Sequence, residues 1–311
     1  MSTAIHDIGY RHYDGPRFGR AYVVRSMFVY NLRAIFGIGR PAKTKILPFL
    51  LAAFLLIPAA GDVAVLAFVK EPEALIQYSS YTMILSPLIA IFLATQAPVA
   101  ASRELRYKTV PLYFSRPVGS TDFVLAKFAA FTTALFLLLA TPLTLLHLGF
   151  ILTRSGMVDQ MKLFSQNGDG PVETVPTVLH QTGLYLGALV GCLLYALVLS
   201  AFALVIAAFT PRRGFGVAAV IAVYLISNVM VLIVQGIALD SSSYDVAGWA
   251  GLFTPFNLVD GVQVRLLGAP QASTPQAPPS GIGGPVFLLA CIGVVVGSLA
   301  VLLARFRKAG Q

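Results

Sequence analysis

Charged residues are scarce in this sequence of 311 residues: they make up 11% of it, whereas hydrophobic residues make up 57%. Because charged residues make up about a quarter of a typical soluble domain, this composition excludes an ordinary soluble fold. No acidic or basic residue lies between Glu73 and Arg103, and similar charge-free runs cover residues 128–153, 174–211 and 214–239. Each run is longer than the roughly 20 residues that cross about 30 Å of hydrocarbon. The chain is therefore predicted to cross a membrane several times.

The chain also lacks the sequence patterns of common catalytic and metal sites. It contains no HExxH, no CxxC and no Gly-x-Ser-x-Gly, so no metal site, redox site or intramembrane hydrolase is indicated. Its two cysteines, Cys192 and Cys291, both fall in apolar runs and indicate nothing about disulfides or redox compartment. No Gly-x4-Gly-Lys-Ser/Thr loop is present, so any ATP that drives this protein must bind to a separate subunit. We therefore expect neither enzyme activity nor a cofactor in this chain.

The apolar runs predict six membrane spans, which must be helices because lipid cannot satisfy backbone hydrogen bonds. The predicted spans are residues 46–69, 80–101, 123–152, 180–209, 214–238 and 284–304. With six spans, both tails lie on the same side of the membrane. That side carries 18 of the 22 Lys and Arg residues, and the other side carries only Lys70, Arg154, Lys162 and Arg265. Since positively charged loops stay in the cytoplasm, we expect both termini to be cytoplasmic.

The sequence therefore predicts an all-α polytopic membrane protein with three regions. Residues 1–45 form a cytoplasmic tail with an interfacial helix, residues 46–304 form the six-helix transmembrane domain, and residues 305–311 form a second tail. The net charge of +9 would suggest nucleic acid binding in a soluble protein. Here the basic residues border the spans, where they meet anionic headgroups. We expect the lipid bilayer to be a partner and nucleic acid not to be one.

The segment before the first span, residues 17–40, predicts an amphipathic helix in the cytoplasmic headgroup layer. One helical face carries apolar side chains: Phe18, Tyr22, Val29, Leu32 and Phe36. Arg25 falls on the same face, so the amphipathicity is imperfect. The alternative is an ordinary basic segment that only fixes topology.

The loop at residues 102–122 is the only sizeable loop on the basic side. Its first part, 102–110, predicts a short helix in which Glu104 and Lys108 have the stabilising i,i+4 spacing. The following proline ends that helix or starts a fresh turn. An apolar patch at 112–114 precedes a tight return into the bilayer. The loop is thus more elaborate than topology alone requires.

The two larger outer loops differ in character. Residues 153–178 are polar, whereas the loop at 239–283 has an apolar middle and ends in a Pro/Gly-rich stretch that predicts an extended conformation. The apolar middle, 247–267, is too short and too broken to cross. It either re-enters the outer leaflet or forms interfacial helices around Trp249.

Ionisable residues inside the spans are few. Asp62, His147 and His180 lie toward the outer ends of spans one, three and four. A charge at membrane depth indicates a functional site, but these positions are shallow enough to reach interfacial water. They are either locally satisfied interface residues or parts of a proton relay or ion site.

Glycines recur at four-residue spacing on spans four and six. They are Gly183, Gly187, Gly191, Gly293 and Gly297. Small residues at this spacing let helices approach closely. We expect them to pack helices within the bundle, and contact between subunits is the alternative.

The loop sequence resembles that of permease subunits of type-2 ATP-binding-cassette (ABC) transporters, most closely the branch grouped with copper-enzyme maturation and drug-resistance permeases. In that family an acidic residue, a Thr and a Ser-Arg-Pro turn occupy the loop after span two, and a Lys opens span three. The matching residues are Glu104, Thr109, Ser115, Arg116, Pro117 and Lys127. The overall layout also matches, with a basic amphipathic start, six spans and an apolar outer piece before span six. The Pro-rich stretch at 268–285 has no counterpart in that branch.

The resemblance implies that the loop contains a coupling helix that sits in a groove of a cytoplasmic ATPase. The implied contact residues are Arg103, Glu104, Leu105, Arg106, Tyr107, Lys108, Leu112, Phe114, Ser115 and Arg116. Apolar side chains would fill the groove, and basic ones would bind its carboxylates. The resemblance further implies that two ATPase copies bind ATP and Mg, and that the permease pairs with an identical or related chain.

These observations predict the permease subunit of an ATP-driven transporter in a prokaryotic cytoplasmic membrane, an exporter by analogy with the family. The sequence does not identify its cargo. Two other classes stay open. An ion-driven secondary transporter would show broken helices and buried acids at mid-depth. A non-transporting sensor or scaffold would not need a coupling loop.

Overall fold

The structure is a computed structural model that describes residues 15, 18–69, 76–114, 118–167, 175–210, 212–269 and 277–310. These residues form helices and connecting turns, with no strand among them. Six of the helices are long and apolar enough to cross a membrane. The prediction of an all-α polytopic membrane protein is therefore confirmed.

The helices follow one another in the order given next, with one π-helical turn and one 3-10 turn between them. They are α1 (Arg20–Ile35), α2 (Lys43–Phe68), α3 (Tyr78–Ile84), α4 (Ser86–Ala97), the π turn (Pro98–Ser102), α5 (Arg103–Arg106), α6 (Val110–Phe114), α7 (Ser120–Asn167), α8 (Val178–Phe209), α9 (Arg213–Asp240), α10 (Tyr244–Trp249), the 3-10 turn (Ala250–Phe253), α11 (Leu258–Leu266) and α12 (Gly283–Gly310). The spans are α2, the continuous stretch Ser86–Arg106, α7, α8, α9 and α12.

Several helix boundaries differ from those of the predicted spans, most clearly the start of the second and the end of the third. The second span begins at Ser86 rather than at residue 80, because Leu85 leaves the helical conformation and separates α3 from α4. The helix that contains the third span, α7, continues into the predicted polar loop and ends at Asn167. At 48 residues, α7 is about 72 Å long at 1.5 Å per residue. It therefore extends well beyond a hydrocarbon layer of about 30 Å.

The core of the bundle lies around α7 and α8, which pack against each other, while α2 packs on α7 and α12 packs on both. Large side chains fill this core completely, among them Phe92, Phe131 and Tyr195. In the most apolar stretch of α7, and likewise of α8, 56% of the residues are buried inside the protein. In the corresponding stretches of α9 and α12 only 17% are buried. The outer faces of α9 and α12 are thus apolar surfaces suited to lipid or to another chain.

One end of the bundle collects α1, the loop between spans two and three, the start of α7 and the end of α12. We call it the basic end, and the other the opposite end. Arg20 on α1 binds Asp122 on α7. On α12, the Arg307 side chain donates a hydrogen bond to Ser120 at 3.3 Å, and the Phe306 ring packs on Phe123 with centroids 5.4 Å apart.

The segment between spans five and six folds back along the bundle. From the end of α9 it runs back along α9 through α10 and the 3-10 turn. It then returns through α11, which packs against α8 and α12. Between the 3-10 turn and α11, the Thr254 hydroxyl lies 3.1 Å from the hydroxyl of Ser227, which is in the middle of α9. On the return, Gln263 packs on Gly191, near the middle of α8. We call residues 244–267 the inserted hairpin. Its entry into the membrane stays a prediction.

The glycine spacing serves close packing at one position of span four. A Cβ atom at Gly191 would collide with the side chain of Gln263, and one at Gly187 would make ordinary contact with Leu267. At three other glycines no described heavy atom lies within 4 Å of such a Cβ; these are Gly183, Gly293 and Gly297. Among the described residues, no close helix contact therefore requires glycine at these three positions.

Replacing Gly261 by alanine is expected to destabilise the inserted hairpin. The new methyl group would collide with the ring of Phe287, which is 1% exposed and cannot move aside. Overpacking of this kind costs roughly 1–3 kcal/mol, so the melting temperature of the purified protein in detergent should fall. Gly293→Ala is the matched control, because its methyl group meets open space. Equal melting temperatures for the two variants would contradict the packing of α11 on α12.

Candidate functional site

The loop at the basic end consists of two short helices rather than the single predicted one. Lys108 has a φ of 52°, so the chain leaves the helix there. The amide of Thr109 donates back to the carbonyl of Glu104 at 3.0 Å and closes α5. Helix α6 then starts at Val110, with Pro111 in its first turn, where a missing N–H does no harm. The expectation that 102–110 forms one helix is wrong, and the fresh-turn alternative for the proline is confirmed.

A buried ion pair fixes this loop to the third span. Lys127 Nζ on α7 lies 2.9 Å from Glu104 Oε1 on α5, and only 3% and 9% of the two side chains are exposed. The same ammonium donates to the carbonyl of Ala100 at 2.6 Å and to Asn31 Oδ1 at 3.4 Å. Each of its three protons therefore has an acceptor. Through this one group α1, the π turn, α5 and α7 are joined.

The ion pair replaces the local pair that spacing suggested. Because the backbone turns at Lys108, Glu104 and Lys108 do not share a helical face, and Lys108 is exposed. Glu104 instead points into the bundle. Its second oxygen, Oε2, is buried with no hydrogen-bond partner in the described part of the chain. The carboxylate thus depends on Lys127 for its charge compensation, and loss of the lysine would leave it isolated.

The π turn gives the loop a second connection to the bundle. It runs from Pro98 to Ser102 and contains Ala100, one of the acceptors of the Lys127 ammonium. The Ser102 hydroxyl donates to the carbonyl of Ala207 on α8 at 2.7 Å. Insertions of this kind in helices often occur at functional sites. Here the turn connects the base of the loop to both α7 and α8.

A second ion pair connects α1 to the start of α7. Arg20 binds Asp122 with two nearly parallel hydrogen bonds of 2.6 Å. The arginine side chain is 72% exposed, so water screens the attraction and the pair contributes little stability. The bidentate geometry of the pair nevertheless fixes the orientation of α1 relative to α7. Asp122 also lies in the first turn of α7, where a negative charge favours the helix dipole.

Aromatic packing supports the loop from behind. The rings of Tyr113 and Phe114 on α6 lie 5.1 and 5.8 Å from the ring of Phe123 on α7. The Lys127 ammonium lies 5.0 Å from the centroid of the same ring. A Cβ atom at Gly310, near the end of α12, would collide with Phe114. Helix α6 is therefore held between α7 and α12.

The outer surface of the loop is basic and partly apolar. Of the residues predicted to contact an ATPase, the exposed ones are Arg103, Arg106, Tyr107, Lys108 and Leu112. Tyr107 and Leu112 are 65% and 69% exposed. They line a groove of about 580 Å³ together with Arg103 and Thr109. This surface, the coupling face below, combines three cations with two exposed large side chains.

The remaining predicted contact residues divide into two groups. Leu105 and Phe114 are partly buried and pack against the core, and Glu104 is buried. Ser115 and Arg116 lie outside the described residues. Sequence reasoning missed Asn31 and Phe123 as supports of the loop. Lys127 matched the family pattern, but its spacing from Glu104 carried no signal of contact, because the two residues lie in different helices.

The three ionisable residues predicted near the outer ends of spans lie at the opposite end, but not as one cluster. Asp62 accepts a hydrogen bond from the amide of Ile76 at 3.1 Å. His147 stacks on Tyr185 with ring centroids 4.4 Å apart, and His180 is exposed. Nowhere in the described ranges do three or more His, Cys, Asp or Glu residues form a group that could hold a metal ion.

Replacing Lys127 by methionine is expected to lower the free energy of unfolding by roughly 3–5 kcal/mol, the typical cost of breaking a buried ion pair. The melting temperature of the purified protein should fall accordingly. Lys108→Met, in the exposed turn, removes the same charge and should change it little. The double variant Lys127→Met with Glu104→Leu should recover much of the loss, because no isolated charge remains. If Lys127→Met were as stable as Lys108→Met, the buried pair would not hold the loop.

No protein-family model and no curated protein sequence matches this chain. The likeness of residues 102–127 to type-2 ABC permeases therefore stays a prediction.

Proposed function

We propose that this protein is the permease subunit of an ATP-driven transporter and that the coupling face receives a cytoplasmic ATPase. The observation that carries the proposal is the buried pair of Lys127 and Glu104 behind an exposed basic surface. A loop that only fixed topology would need its positive charges. It would not need a desolvated ion pair that ties it to the third span.

The anchoring suits a loop that transmits force. A push on α5 and α6 reaches α7 through the Glu104–Lys127 pair. It reaches α8 through the hydrogen bond from Ser102 to Ala207, and α1 through Asn31. Since packed interiors deform little, displacement of the loop would move these helices together. Glu104 therefore positions the loop, and the exposed residues of the coupling face contact the partner.

The chemistry of the coupling face fits an acidic groove on the partner. Arg103 and Arg106 can form two parallel hydrogen bonds with carboxylates, which fixes orientation as well as affinity. Tyr107 and Leu112 are exposed enough to be buried on binding, and large aromatic residues are common anchors of interfaces. The partner would supply the ATP and Mg sites that this chain lacks.

The remaining parts of the proposal follow from charge, exposure and the family resemblance. Positive charges are concentrated at the basic end, so both termini are assigned to the cytoplasm. The assignment to a prokaryotic membrane rests on the resemblance. The apolar faces of α9 and α12 are little buried and would accommodate a second, identical or related permease chain. Gly293 and Gly297 lie on α12 with open space around them. Export, rather than import, rests on the family resemblance.

A specific observation favours a second candidate, an ion-driven transporter. Asp260 on α11 is 6% exposed and lies close enough to Tyr195, in the middle of α8, to interact with it electrostatically. Burial raises the pKa of Asp260, which lies outside the six spans, to about 6. A buried acid packed beside a span is the feature that such a transporter would use. The coupling face has no role in that function.

Reversing two charges on the coupling face should separate the candidates. Arg106→Glu with Lys108→Glu is expected to reduce the amount of ATPase that co-purifies by roughly tenfold, corresponding to about 1.4 kcal/mol of binding energy. The melting temperature should not change, because both side chains are exposed. Arg33→Glu with Lys45→Glu, exposed basic residues on α1 and α2, is the matched control. Unchanged ATPase recovery, or no ATPase with the unaltered protein, would rule against the proposal.

The titration of Asp260 predicts a pH-dependent stability. Burial raises the pKa of the Asp260 carboxyl in the folded state. The contribution of this group to the free energy of unfolding is therefore fully present below its unfolded pKa of 3.8 and is lost as the pH rises through about 6. The shift corresponds to roughly 3 kcal/mol at 1.4 kcal/mol per pKa unit. The melting temperature of Asp260→Asn, relative to the unaltered protein, should therefore rise between pH 4 and pH 7. A parallel pH profile for both proteins would show that Asp260 is not desolvated.

A further inference from the structure

A cavity of about 200 Å³ lies at the opposite end of the bundle, away from the coupling face. Its walls come from α2, α3, α7, α8 and α11, so it lies within a single chain. Ile76 and Pro176, next to the outer ends of α3 and α8, lie at its rim, and Ala188 and Gln263 lie deeper. None of its described lining residues is Asp, Glu, Lys or Arg. A histidine, His180, is among the lining residues but is exposed, so an anion in the buried part of the cavity would meet no described lysine or arginine.

The lining residue Gln263 has no hydrogen-bond partner for its side chain. It is 1% exposed, and neither Oε1 nor Nε2 is bonded to any described group. Its side chain lies against Gly191, where any larger residue would collide with it. Leaving a buried polar group unpaired costs about 1–3 kcal/mol. The fold thus holds an amide in a defined position without using its two donors and its acceptor.

A second unpaired polar group lines the same cavity. The Ser79 hydroxyl on α3 is buried and has no partner among the described residues. It adds a further donor and acceptor on a different helix. The rest of the deep lining is largely apolar, with Leu66, Leu146 and Phe150 among its members. Cavities that combine apolar walls with a few convergent polar groups are typical of ligand sites.

We propose that this cavity binds a neutral small molecule with an amide or hydroxyl head and a short apolar chain. The head bonds to Gln263 and Ser79, and the chain contacts the leucine and phenylalanine side chains. A carboxylate is disfavoured, because it would lose its hydration without gaining a lysine or arginine partner. The site is independent of the coupling face. It would persist whether or not an ATPase binds there.

Octanamide is a suitable probe, with octanoate as the charged analogue of the same chain length. Binding is measured on the purified full-length protein in detergent at pH 8, by titration and by the rise in melting temperature that binding to the folded state produces. We expect saturable binding of octanamide and at least tenfold weaker binding of octanoate. Octan-1-ol, with a hydroxyl head, should bind as octanamide does. Equal binding of octanoate, or no saturable binding of octanamide, would overturn the proposal, the latter indicating that the cavity holds water only.

The variant Gln263→Leu removes all the hydrogen-bonding atoms of the amide and should reduce octanamide affinity at least tenfold. By itself it should leave the melting temperature unchanged or raise it, because an unpaired polar group is removed. Gln235→Leu is the matched control, since that amide is buried outside the cavity and donates to Ala247 at 3.1 Å. It should lower stability and leave octanamide affinity intact. Undiminished affinity in Gln263→Leu would refute the site.

A milder variant keeps the test independent of folding. Ser79→Ala removes only the buried, unpaired hydroxyl oxygen. Octanamide affinity should fall severalfold, with unchanged melting temperature in the absence of the probe. If Ser79→Ala bound octanamide as tightly as the unaltered protein does, the assignment of Ser79 as a hydrogen-bond partner of the head group would be wrong.

Discussion

The ammonium group of Lys127 is the constraint on which the basic end of this protein depends. A buried charge is tolerated only when it is paired and its protons are bonded, and the three acceptors come from three separate segments. Glu104 belongs to α5, Ala100 to the π turn and Asn31 to α1. Satisfying one side chain therefore fixes the positions of all three segments on α7. The exposed cations of the coupling face are held on a rigid base as a result.

The opposite end is built on a different balance. There the cavity is lined by two buried neutral groups, on Gln263 and Ser79, that have no partner among the described residues. Neutral groups can remain unpaired at a cost of about 1–3 kcal/mol each, whereas an unpaired ammonium could not. At the basic end the buried ammonium is thus fully paired, and the exposed cations are available to a partner. The other end retains hydrogen-bonding capacity inside a cavity.

The parts of this structure that the sequence predicted are those that depend on local composition. Six spans follow from the length and apolarity of the runs, and α7 alone was predicted much too short, since polar residues 153–167 form helix outside the bilayer as readily as loop. The loop at the basic end was predicted less well. Local spacing pairs Glu104 with Lys108, but burial beside Lys127, more than 20 positions away, prevails. Likewise, spacing marked Gly191 and Gly293 alike, although only Gly191 meets another element.

The two ends are connected by α8, a 32-residue helix without an internal proline. Its last turn accepts the hydrogen bond from Ser102 at the base of the loop, and its middle receives Gln263 against Gly191. A continuous helix in a close-packed core transmits displacement along its length. Under the proposed function, a displacement of the coupling face would therefore reach the inserted hairpin and the cavity wall through α8. The unpaired amide of Gln263 lies at the point where that displacement would arrive.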